Sequence, residues 1–139
     1  MNASKILKTY FGYDSFRDGQ EEIIQSILDG KDALAIMPTG AGKSLCYQVP
    51  ALLLSGITLV ISPLISLMQD QVKALNEAGI HAAFINSSLT ETQIAKALGL
   101  AMNGTYKIIY VAPERLESAG FIQFAQSAEI SMVTVDEAH

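Results

Sequence analysis

Cysteine is almost absent from this chain. Cys46 stands alone among 139 residues, so no internal disulfide framework exists, and a lone thiol fits a reducing cytoplasm. Histidine is nearly as scarce: His81 and His139 lie far apart, which leaves a zinc cluster without ligands to draw on. No apolar run approaches the roughly 20 residues that span a bilayer, so a membrane is not an expected partner. The opening MNASKILKTYFG lacks the apolar stretch and small-residue cleavage site of a secretion signal. Basic residues are in the minority, 9 against 14 acidic, for a net charge of −5. That balance argues against simple electrostatic coating of nucleic acid, although a local groove on an acidic protein is able to be positive. Internal repeats, low-complexity segments and linker-like stretches are missing as well.

What is present is apolar. Half of the residues are hydrophobic, enough for one domain with a real core and too many for a disordered chain. Short apolar runs recur: DALAIM (32–37), ITLVIS (57–62), HAAFIN (81–86), KIIYVA (107–112) and SMVTVD (131–136). Most are continuous rather than alternating, as in parallel strands buried on both faces. Segments of helical period separate them. Ile23, Ile24, Ile27 and Leu28 form one stripe, with Gly30 placed to cap it. Leu64, Met68, Val72 and Leu75 form another, stopped by Gly79. Thr90 and Gln93 have the spacing of a capping box for a helix ending at Asn103-Gly104. This alternation predicts an α/β fold with a mostly parallel sheet, right-handed crossovers and helices on both faces. Ligands in such sheets bind beyond the carboxyl ends of the strands.

Beyond the first expected strand lies MPTGAGKS, residues 37–44. A glycine-rich turn between strand and helix lets backbone N–H groups converge on phosphate oxygens. Thr39, Gly40, Ala41 and Gly42 would form that cradle, Lys43 would reach the β- and γ-phosphates, and the Ser44 hydroxyl would ligate Mg²⁺. Met37 occupies the position where this pattern usually starts with glycine. Pro50 removes a backbone donor from the following helix and is expected to kink or shorten it. The chain closes on MVTVDEAH, residues 132–139. A carboxylate at the end of a buried strand, Asp136, suits Mg²⁺, and the next, Glu137, suits a general base that polarises water. Alone, DEAH also reads as a solvated acidic turn; together with the phosphate loop it reads as half of an ATP site.

TGAGKS followed much later by DEAH resembles a superfamily 2 helicase motor. FGYDSFRDGQEEII (11–24), KSLCYQVPAL, LVISPLISLMQDQV (59–72), NSSLT (86–90) and YVAPERL (110–116) narrow the resemblance to the RecQ family of ATP-dependent DNA helicases. It extends from about residue 4 to residue 139 with the motifs in order; Asp18 stands where the family often has proline. The resemblance implies a RecA-like P-loop lobe in which Gln20 reads the adenine edge, Tyr13 stacks on its ring and Arg17 supports the pocket. It also implies backbone contacts to single-stranded and duplex DNA through Ser62 and Pro63 and through Pro113 and Arg115, with plain helix capping as the alternative for the first pair. His139 would couple nucleotide state to DNA. ATP and Mg²⁺ are the implied cofactors.

Several of the family's parts have no counterpart here. The second motor lobe with its arginines, the aromatic-rich loop beyond DEAH, the zinc-binding and winged-helix regions and any accessory domain are not in this sequence. The expectation is therefore a first lobe truncated after the DEAH strand, with idle catalytic residues, an uncovered sheet face there and self-association through it. The parent would translocate 3′ to 5′ and unwind DNA in recombination and repair. The other readings are an RNA helicase lobe, a small-molecule P-loop kinase, and a nucleotide- or DNA-binding module without activity. Cys46 reads as a packed thiol, His81 as a surface or packed histidine, and Met68, Met102 and Met132 as core filler.

Overall fold

The computed structural model describes residues 2–17, 19–29 and 41–135, with the backbone alone for 41–43. The expected DALAIM strand, the Gly30 cap, residues 37–40 of the phosphate loop, and Asp136, Glu137 and His139 lie outside these residues. The chain divides into two compact units, Met1–Ser55 and Gly56–His139.

The first unit is helical where described. Helix α1 (Ala3–Ile6) is capped by Asn2, whose Oδ1 accepts from the Lys5 N–H at 2.9 Å. It runs into a π-helical turn, Leu7–Phe11, which Gly12 ends at a φ of +78°. Wide turns of this kind are rare and often occur at functional sites. Helix α2 (Gln20–Leu28) starts from Gly19 at a φ of +85° and ends at Asp29. Helix α3 spans Ala41–Leu53. Ile6, Leu7, Ile24, Leu45 and Val49 form the buried cluster that joins these elements. Of the expected α2 stripe, Ile24 is buried and Ile23, Ile27 and Leu28 are half-buried. Pro50 lies within α3 without ending it, since the helix runs on to Leu53 and the Pro50 carbonyl accepts from Leu54. Proline forfeits its own donor and leaves its carbonyl available to the next turn.

The second unit is a parallel four-stranded sheet in the order β2-β3-β1-β4. The strands are β1 (Ile57–Ile61), β2 (Ala82–Ile85), β3 (Ile108–Val111) and β4 (Ile130–Val135). Each matches an apolar run in the sequence. The connections are α4 (Ile65–Glu77), α5 (Glu91–Met102) and, after a 3₁₀ turn at Pro113–Glu117, α6 (Ala119–Ser127). Ile57, Leu59, Ile85, Ile109 and Val111 pack one face of the sheet against Ile94 and Ala101 of α5 and Phe121 and Phe124 of α6. Val60 and Tyr110 are register partners on the other face. There the Tyr110 hydroxyl meets Gln71 of α4 at 3.4 Å. Helices therefore cover both faces, as the continuous apolar strands require; full burial of each such side chain contributes about 1.5–3 kcal/mol.

The expected caps form. Thr90 Oγ1 accepts from the Gln93 N–H at 3.1 Å, and Gln93 Oε1 accepts from the Thr90 N–H at 2.9 Å. Gly79 follows α4 at a φ of +91°, and the Ile80 N–H closes back on the Leu75 carbonyl at 2.9 Å. Two side chains and one strand depart from expectation. Leu64 serves as the N-cap residue of α4 and is 47% exposed, so it lies outside the stripe of Met68, Val72 and Leu75. Met102 is 46% exposed rather than core: it follows the buried Ala101 and so points about 100° away around the helix. Strand β4 alternates instead of being buried throughout. Its Val133 and Val135 are 57% and 71% exposed.

Candidate nucleotide and nucleic-acid sites

In the first unit the π turn and the left-handed Gly12 deliver Tyr13 to a recess it shares with Ser15, Arg17, Gln20 and Leu45. Gln20 is buried at 1% exposure, while Arg17 and Tyr13 stand at the surface. The Arg17 N–H donates to Gln20 Oε1 at 2.7 Å, and the Gln20 N–H donates back to the Arg17 carbonyl at 3.1 Å. That pair fixes which end of the carboxamide is oxygen. The recess encloses about 30 Å³, room for a water rather than a purine. A base would therefore lie across its rim, against the exposed Tyr13 ring.

Leu45 reaches this recess from the helix that follows the glycine-rich sequence. It lines the recess from the first turns of α3, directly after Ser44, which is half-buried there. Ala41, Gly42 and Lys43 contribute the start of α3, and the rest of the glycine-rich sequence, residues 37–40, precedes it in the chain. Their side chains, with Thr39 and Gly40, lie outside the description. Cys46, on the same helix, is buried, and burial pushes its thiol pKa up. That is the signature of a packed thiol and not of a nucleophile.

In the second unit the loops expected to meet DNA follow the carboxyl ends of the described strands. Ser62 follows β1 and is buried at 2% exposure. Its N–H donates to the Val111 carbonyl at 3.1 Å, and its Oγ accepts from the Leu64 N–H at 3.3 Å. Its hydroxyl is thus engaged in the turn, while Pro63 and Leu64 are exposed and α4 carries no side-chain cap of its own. Pro113 opens the 3₁₀ turn after β3, and Arg115 sits within it. The guanidinium is already held: Nη1 meets Glu91 Oε1 at 3.3 Å, and the buried Nε has no partner among the described residues.

Sequence reading missed Glu91 and the role of Asn86. Asn86 is fully buried after β2; its Oδ1 accepts from the Ser88 N–H at 2.8 Å and its Nδ2 faces Met68 Sδ at 3.6 Å. It shapes the NSSLT loop and ties it to α4. The bond to Ser88 is local, of the kind asparagine makes in turns, whereas the contact with Met68 has no local signal. A separate cavity of about 320 Å³ lies near the amino ends of the strands, lined in part by Gly56, Tyr106, Lys107 and Glu129. His81, just before β2, is exposed. Among the described residues no group of three or more His, Cys, Asp or Glu is placed to hold a metal ion. Among them, too, no helix is long and apolar enough to cross a membrane.

Comparison with known proteins gives a consistent result. The family model described as DEAD/DEAH box helicase matches residues 17–139. The chain is 51% identical over 138 residues to the ATP-dependent DNA helicase RecQ of Bacillus subtilis (strain 168), covering 99% of this chain and 23% of that protein. It is 52% identical over 137 residues to the RecQ of Pasteurella multocida (strain Pm70), covering 99% of this chain and 22% of that one. The chain thus spans about a quarter of the length of these relatives. Among solved structures, the DUF1998 helicase MrfA bound to DNA and AMPPNP superposes with a TM-score of 0.78 at 21% identity, over 99% of this chain and 21% of that one. That likeness is one of fold.

Proposed function

The chain belongs to the DEAD/DEAH box helicase family, and on that premise we propose that it is the ATP-binding lobe of a RecQ-type, ATP-dependent DNA helicase. The activity is 3′ to 5′ translocation and duplex unwinding in recombination and repair, powered by ATP hydrolysis. The observation that carries this reading is the recess of Tyr13, Arg17 and Gln20, closed by Leu45 from the helix that the phosphate loop opens. Base recognition and phosphate recognition thereby fall on adjoining residues.

In this reading Tyr13 stacks on adenine and Gln20 reads its edge, which favours ATP over GTP. Backbone N–H groups of 39–42 and the Lys43 ammonium hold the phosphates. The Ser44 hydroxyl and the Asp136 carboxylate are hard oxygen donors of the kind Mg²⁺ prefers, and bound Mg²⁺ supplies charge neutralisation at the β- and γ-phosphates. Glu137 takes the proton of the attacking water as general base. His139 couples the nucleotide to DNA. Ser62, Pro63, Pro113 and Arg115 meet the DNA backbone, with the Ser62 oxygen also accepting the Leu64 N–H that shapes the first of these loops. Contacts of this kind position without reading sequence. Arginines from a second lobe typically contribute about 10³–10⁵ in rate to such chemistry. The 139-residue chain by itself is accordingly a nucleotide binder with negligible turnover.

The test is displacement of a fluorescent ATP analogue from the chain, together with ATPase assays with and without single-stranded DNA. The expected result is displacement by ATP, much weaker displacement by GTP, loss of binding on Lys43→Ala, and no measurable hydrolysis. Equal displacement by GTP would remove the adenine reading. DNA-stimulated turnover by this chain alone would overturn the need for further arginines.

A further inference from the structure

Arginine is rare in this sequence: Arg17 and Arg115 are the only two. Arg115 is held in an incomplete arrangement. Its side chain is only 22% exposed, its buried Nε lacks a hydrogen-bond partner, and its Nη1 reaches Glu91 Oε1 at 3.3 Å. The Glu91 side chain is 87% exposed at the first residue of α5. A long ion pair to so exposed a carboxylate is weak and easily exchanged. An orphaned buried donor is costly, and native structures retain few of them. A phosphate offers several acceptor oxygens and takes two guanidinium N–H groups at once, so a guanidinium that turns outward from Glu91 to phosphate brings the now-buried Nε to a partner it lacks in the free protein. The location suits the exchange. Arg115 lies just beyond the carboxyl end of β3, and Glu91 opens the helix reached from the end of neighbouring β2.

We propose that Glu91 is a displaceable counter-ion for Arg115: it holds the guanidinium in the free protein and yields it to a nucleic-acid phosphate. The proposal rests on the reading of Arg115 as a DNA contact and adds a residue that sets the strength of that contact. Glu91 is a positioning residue, acting only through Arg115. Removing its charge therefore frees Arg115 and tightens DNA binding, beyond the general benefit of one negative charge fewer.

The experiment is fluorescence anisotropy of labelled oligothymidine with the 139-residue chain at several low salt concentrations. The variants are Glu91→Gln, Arg115→Ala and both together. Glu114→Gln, one residue from Arg115, controls for net charge. Arg115→Ala is expected to weaken binding and reduce the salt slope by about one, the contribution of one phosphate contact. Glu91→Gln is expected to tighten binding about two- to fivefold, the range open to an exposed ion pair. That gain disappears in the Arg115→Ala background, whereas any gain from Glu114→Gln persists there. A Glu91→Gln gain that survives loss of Arg115 reduces Glu91 to a generic charge and overturns the proposal, as does the absence of any gain. No binding by the unaltered chain, or none lost on Arg115→Ala, removes the DNA contact itself, so the two failures are distinct. If Arg115→Ala does not fold by circular dichroism, Arg115→Gln serves the same comparison.

Discussion

Arg17 and Gln20 hold each other at the start of α2: the Arg17 N–H donates to Gln20 Oε1 at 2.7 Å, and the Gln20 N–H donates to the Arg17 carbonyl at 3.1 Å. The residue proposed to read adenine is thus also a helix-start clamp. Gln20→Ala is expected to cost about 1–3 kcal/mol, because it deprives the Arg17 N–H of its acceptor and leaves a gap at a buried position. It should also abolish the preference for ATP over GTP, a loss of about tenfold if one hydrogen bond is at stake. Urea titration measures the first and nucleotide competition the second. A stability loss with unchanged nucleotide preference would leave Gln20 with the structural role alone.

Asn76 performs a similar service in the second unit. Its Oδ1 accepts from the Ala82 N–H at 3.0 Å and its Nδ2 donates to the Ala82 carbonyl at 3.3 Å, joining the end of α4 to the start of β2. Ala82 is buried, so water cannot readily replace those bonds. Asn76→Ala should therefore destabilise the fold by about 1–3 kcal/mol. A shift in urea midpoint worth less than about 0.5 kcal/mol, the low end for one net hydrogen bond, would show that solvent reaches Ala82 after all.

Cys46 should be inert in the folded chain. It is buried, and burial holds the thiol above its ordinary pKa by disfavouring the thiolate, the reactive form. Because the folded pKa is the higher one, the stability this group contributes is complete below the unfolded pKa. It declines as pH rises through the unfolded toward the folded value. At pH 8 a thiol reagent is expected to label the native protein more slowly than the urea-unfolded protein, because burial both shields the thiol and disfavours the thiolate. Equal rates would mean that α3 opens readily.

The Thr90 capping box is the most local of these devices. Thr90→Ala removes the acceptor for the Gln93 N–H and should cost about 0.5–2 kcal/mol. Gln93→Ala removes only the return bond to the Thr90 N–H, an exposed group that water satisfies, so its effect should be the smaller. Thermal melting of the two variants gives the order directly, and a reversed order would mean that the Gln93 side chain does more than cap.

Strands β1 to β3 were visible in the sequence because strands covered on both faces must be apolar throughout, and β4 because its run is apolar and β-branched even where one side is exposed; the helix ends were visible because caps and stop glycines act within a few residues. The recess of Tyr13, Arg17 and Gln20 was legible as a motif, and the structure does bring those residues together. Glu91 with Arg115 and Asn86 with Met68 were not legible: each pair is made when the sheet stacks its crossovers, and no local spacing announces it. Ser62 shows a role that its motif did not announce, since a serine hydroxyl beyond a strand also serves its own turn. Met102 was assigned by residue type rather than by its angle around α5.

Gly56 marks where β1 begins, and two independent constraints act on it. Its φ is +79°, and a Cβ there would lie 2.5 Å from Ser131 Oγ and 2.7 Å from the Glu129 carbonyl oxygen. The carbonyl cannot retreat cheaply, because it accepts the Ile57 N–H at 2.8 Å. Gly56→Ala should therefore cost more than the roughly 1–2 kcal/mol of the backbone strain alone. Adding Ser131→Ala removes the hydroxyl clash but leaves both the carbonyl and the dihedral angle, so the double variant should recover only part of the loss. Full recovery in denaturant titration would mean that the hydroxyl was the whole obstacle and that the β1–β4 junction yields at the backbone.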